Sequence, residues 1–160
     1  MRPMSVTRRT LEALAKLKAL SELDAASRLI EHALAEAVLH QIAATWLALV
    51  RQIGDSHGIR PTQVDSLATL LDVLERRGFT SVEALELSRL ASEPGSWVET
   101  FWAHYGELTC PPEPMTASAS NAIPLQDRSG LEAIRAARYR PWVEALAAQI
   151  ESMQSRFHES

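Results

Sequence analysis

A single cysteine, Cys110, stands among the 160 residues. One thiol excludes an internal disulfide and any zinc site built from several cysteines, and a reducing compartment is the default expectation. Glycine and proline are also scarce where they would matter: residues 7–53 contain neither. Nowhere does a run alternate apolar and polar residues with the period of a strand. Chemistry-bearing loops are missing too. The chain has no Gly-rich phosphate loop, no Gly-x-Ser-x-Gly elbow and no Cys-x-x-Cys pair. A strong positive charge is absent as well. The net charge is −4, which is not the basic footprint of a dedicated nucleic-acid binder.

What is present is helical. An apolar share of 46% with 22% charged residues suits one compact domain with a sizeable core and argues against disorder. Residues 1–20 hold five basic side chains against one acid, a net +4, whereas residues 61–109 hold eight acids against three arginines, a net −5. Such asymmetry suits attraction within the chain or toward an acidic partner. The amino-terminal "MRPMSVTRRTLEALAKLK" lacks the apolar run of a secretory signal. The stretch "ALAEAVLHQIAATWLALV" carries Glu36, His40 and Gln41, and reads as too polar and too short to span a membrane. These features place the protein in the cytoplasm, off the membrane.

Four capping boxes punctuate the sequence: Thr62-x-x-Asp65, Thr80-x-x-Glu83, Ser96-x-x-Glu99 and Ser129-x-x-Glu132. In each, a hydroxyl is positioned to accept from a first-turn amide while the acid reaches back to the cap. Before them, two helices are expected in residues 7–53, with a break in 21–27 and Ser21-x-x-Asp24 as the restart. Ile30, Leu34, Val38, Ile42, Trp46, Leu49 and Ile53 form the stripe of the second, which Leu29, Leu39, Leu47 and Val50 widen beyond one face. That helix should be central. Gly54, Gly58 and Pro61 mark a loop, and a helix over 62–77, buried along Val64, Leu67, Leu71 and Leu74, stops at Gly78. A short helix over 81–92 turns at Pro94-Gly95. Residues 110–129 hold four of the eight prolines and read as a Pro/Ser/Ala-rich linker. A last helix over 130–157, kinked or restarted at Pro141, carries Trp142, Leu146, Ile150, Met153 and Phe157 and should dock back on the rest. The expected fold is an all-α bundle of five or six helices.

Residues 92–108 contain four of the nine aromatic residues. On a helix, Trp97, Phe101, Leu108 and Tyr105 fall at about 0, 40, 20 and 80°. They read as core. Trp102, at about 140°, lies off that stripe and is the first candidate for a partner interface. The surrounding "LSRLASEPGSWVETFWAHYGELTCPP" resembles the signature of an uncharacterised family of small, all-helical gammaproteobacterial proteins, domain of unknown function 6586. The matching positions are Leu87, Leu90, Pro94, Gly95, Ser96, Trp97, Tyr105, Pro111 and Pro112, and Val98 stands where the family has leucine. The resemblance implies an all-helical fold and brings no catalytic residues.

Three other groupings bear chemistry. His32, Glu36 and His40 recur at i, i+4 and i+8, but the outer pair is about 12 Å apart along a helix, too far for one metal without further ligands. A polar helix edge with Glu36 paired to His40 is the preferred reading. Arg51 and His57 match the Arg-x4–6-His spacing of HEPN ribonucleases, which resemblance would make them catalytic. Gly54 between them, and a helix expected to end before His57, depart from that pattern. Arg135, Arg138 and Arg140 alternate with Tyr139 and Trp142, suiting an ion-paired surface or, as an alternative, phosphate and base contacts. The function expected is that of a non-catalytic protein binding a protein partner or a second copy of itself, with Trp102, Arg135 and Arg138 as candidate interface residues. No cofactor or metal is expected.

Overall fold

The computed structural model describes residues 5–110 and 136–159. Among these there are six α-helices and no strand: α1 (Val6–Ser21), α2 (Arg28–Ser56), α3 (Leu67–Arg76), α4 (Val82–Ser92), α5 (Trp97–Thr109) and α6 (Arg140–Glu159). Short 3-10 turns, Pro61–Gln63 and Ala136–Tyr139, precede α3 and α6. The protein is an all-α bundle.

Serine starts five of these helices. Ser5, Ser27, Ser66, Ser81 and Ser96 each accept a hydrogen bond from the amide three residues on, satisfying an orphan donor of the first turn. The Ser96 box is realised in part. Its hydroxyl accepts from the Glu99 amide at 3.1 Å, while the Glu99 carboxylate accepts from the Gly95 amide, one residue short of the cap. The Thr62 and Thr80 boxes are corrected. Pro61–Gln63 forms a 3-10 turn, so Thr62 caps nothing and α3 waits for Ser66. Ser81 displaces Thr80 by one residue. Ser21 closes α1 by donating to the Lys18 carbonyl at 2.8 Å, and the restart belongs to Ser27. The Ser129 box, the linker expected over 110–129 beyond Cys110 and the helix start expected at Gly130 lie outside the described residues. Of the kink or restart expected at Pro141, the structure shows the restart: the α-helix begins at Arg140, after the 3-10 turn Ala136–Tyr139. Pro141 stands in the first turn, where a missing amide costs no helical bond.

α1 and α2 form an antiparallel hairpin. The Thr10 hydroxyl is within reach of the Ala48 carbonyl, the Gln41 amide donates to Ala13, and the Gln52 amide donates to Thr7. α2 is the central helix, as its apolar circumference implies. Val38, Ile42, Leu49, Val50 and Ile53 are fully buried, with Leu17 of α1, Leu87 of α4, and Leu146 and Ile150 of α6 in the same core. Each such side chain contributes about 2 kcal/mol through loss of water contact. The stripe begins later than expected, because Leu29 and Ile30 remain exposed in the first turn. At 29 residues, α2 is also long and apolar enough, by length and composition, to cross a membrane. Its segment is therefore not too short, and what its buried stripe meets in this fold is protein.

Gly54 was expected in a loop and lies inside α2. The reason is packing: a Cβ there would sit 3.2 Å from Leu70 Cδ1 and 3.5 Å from Val64 Cγ2. The helix instead stops at Gly58, whose φ of 71° lets the Ile59 amide return to the Gly54 carbonyl at 2.9 Å. Ile59 then drops fully into the core. Gly78 ends α3 in the same way, as expected.

One polar knot ties the core helices together. Gln52 and Gln154 exchange amide hydrogen bonds at 3.0 and 2.7 Å, and both side chains are buried. Among the described residues no buried side-chain polar atom lacks a partner. Outside the core, Glu86 of α4 accepts from Gln149 and Arg156 of α6 at 2.9 and 2.7 Å. Lys18 of α1 pairs with Glu151 of α6. The lysines of the basic amino-terminal segment thus pair within the chain, with Glu12 and Glu151, acids that lie outside residues 61–109.

Candidate functional site

The aromatic cluster of α5 is core, but on a face rotated from the one expected. Val98 and Phe101 are the fully buried residues, Trp97 and Tyr105 are half-buried, and Leu108 is exposed. On the helical wheel the buried face centres near 70° instead of about 35°, since Val98 falls at about 100°. Neighbours decide this. Trp97 meets Trp46 of α2 edge-on at 6.1 Å, and Phe101 meets Trp142 of α6 edge-on at 5.6 Å. Trp102 consequently flanks the buried face at one margin, as Trp97 does at the other. Trp102 is 37% exposed. Edge-to-face contacts with Phe101 at 5.0 Å and Tyr105 at 5.7 Å hold it in place.

Trp102 forms part of the wall of a cavity of about 570 Å³ between α2, the start of α3, the end of α4 and α5. The floor comes from α2: His40, Ala43, Ala44 and Leu47, at i, i+3, i+4 and i+7, lie along one helix face. Trp46 supports it from within. Trp102 and Tyr105 of α5, Ala91 of α4, and Asp65, Ser66 and Leu67 around the start of α3 complete the lining. Two polar fixtures mark it. His40 Nδ1 and the Tyr105 hydroxyl lie 2.9 Å apart in a hydrogen bond. Asp65 accepts from the Thr69 hydroxyl, and this bond together with the Ser66 hydroxyl holds its carboxyl below the usual carboxylate range. The site is therefore an apolar groove carrying one stable negative charge.

The other sequence candidates are placed elsewhere. Arg138 is exposed and lines a separate cleft of about 190 Å³ with His104, Tyr139 and Trp142. There His104 Nε2 pairs with the buried Tyr139 hydroxyl at 2.9 Å, and burial pushes that phenol above its usual range. Arg140 is exposed at the start of α6, and Arg135 lies outside the described residues. Arg51 and His57 take different partners. Arg51 Nε donates to the Val64 carbonyl at 2.9 Å, while the His57 ring lies against Phe79 at 5.9 Å. His57 caps the end of α2, so the helix does end before it. His40 bonds to Tyr105, where the sequence suggested Glu36. Among the described residues no three His, Cys, Asp or Glu side chains gather as a metal-binding group. Cys110 is an exposed thiol.

Sequence reasoning missed the floor of the groove. Ala43 and Ala44 are two of six alanines in α2, so nothing in the helix alone singles them out. No protein-family model, no curated protein and no solved structure matches the chain.

Proposed function

We propose that the protein is a non-catalytic cytoplasmic module that acts by binding another protein through the groove beside Trp102. The observation that carries this reading is Trp102 itself, a large indole at the margin of an apolar cavity and already clamped by Phe101 and Tyr105. Aromatic anchors in such positions dominate interface energetics, and a ring held beforehand loses little freedom on binding. A second copy of the chain is one form such a partner takes. The reading requires no cofactor. It includes membership of the small helical family that Pro94-Gly95-Ser96-Trp97 resembles.

The test is affinity capture of the tagged protein from its native cell, with wild type and Trp102→Ala side by side, before and after nuclease treatment. The expected result is a nuclease-resistant protein partner, or a homodimer, retained by wild type and lost from a folded Trp102→Ala variant. Recovery of nucleic acid alone, abolished by replacing Arg135, Arg138 and Arg140 with alanine, overturns the choice of partner. RNA cleavage by the purified protein that vanishes in folded His57→Ala would instead give Arg51 and His57 the ribonuclease role.

A further inference from the structure

We draw no further inference here: the strongest candidate, the apolar groove between α2, the start of α3, the end of α4 and α5, belongs to the site already described, and nothing in the structure shows what covers it, since with Asp65 in its lining and Arg9 and Lys16 bordering Ala44 of its floor no one charge selects an occupant.

Discussion

Replacing Gln154 by alanine perturbs the best-defined polar contact in the core. Gln154 gives one hydrogen bond to the Gln52 oxygen at 2.7 Å and receives one from the Gln52 amide at 3.0 Å. Truncation removes both and leaves the buried Gln52 oxygen without its donor. The Gln52 amide keeps its bond to the Thr7 hydroxyl at 3.2 Å. An unsatisfied buried acceptor costs about 1–3 kcal/mol, so Gln154→Ala should destabilise by ~2–3 kcal/mol once lost packing is included. For a chain of this size that is a fall in Tm of roughly 5–10 °C. Substituting leucine at both positions removes donors and acceptors together while keeping similar bulk, and should cost well below the sum of the single changes. Chemical denaturation of wild type, Gln52→Leu, Gln154→Leu and the double variant closes the cycle, with a coupling of ~1–2 kcal/mol expected. Additive single costs, or a Gln154→Ala protein within 0.5 kcal/mol of wild type, where ordinary surface changes fall, would refute the claim that this reciprocal pair ties α2 to α6.

Two further outcomes follow from packing and charge. Phe101→Ala, at a fully buried ring, should cost about 3–5 kcal/mol, whereas Trp102→Ala, at the cavity margin, should cost about 1 kcal/mol and leave the helical circular dichroism spectrum unchanged; comparable losses would mean that Trp102 is core. The Gln149 amide, and after it Arg156, hold the Glu86 carboxyl below its ordinary value of 4.5. A depressed folded value means that the contribution is present above 4.5 and lost as pH falls through the folded value. Glu86→Gln should therefore cost ~0.5–1 kcal/mol near neutrality, with the gap to wild type closing as the medium is acidified below that range. A gap independent of pH would assign the loss to packing.

The sequence by itself determined what depends on neighbours three or four residues away. Apolar period, serine caps and glycine stops are local, so the six helices, the central place of α2 and the break between α1 and α2 were all legible. The same local signals competed where two residues offered the same chemistry. Thr80 and Ser81 stand side by side, and only the register of the folded helix chose Ser81. Tertiary packing alone decided the rest. Gly54 looks like a loop residue until Leu70 and Val64 are brought against it from elsewhere in the chain. The buried face of α5 turned from Leu108 toward Val98 because Trp46 and Trp142 approach from two sides, and this set Trp102 at a margin shared by core and groove. The groove joins residues from four helices or their caps, as far apart as His40 and Tyr105. A cavity is a relation among surfaces, so no single periodic stretch could carry its signal.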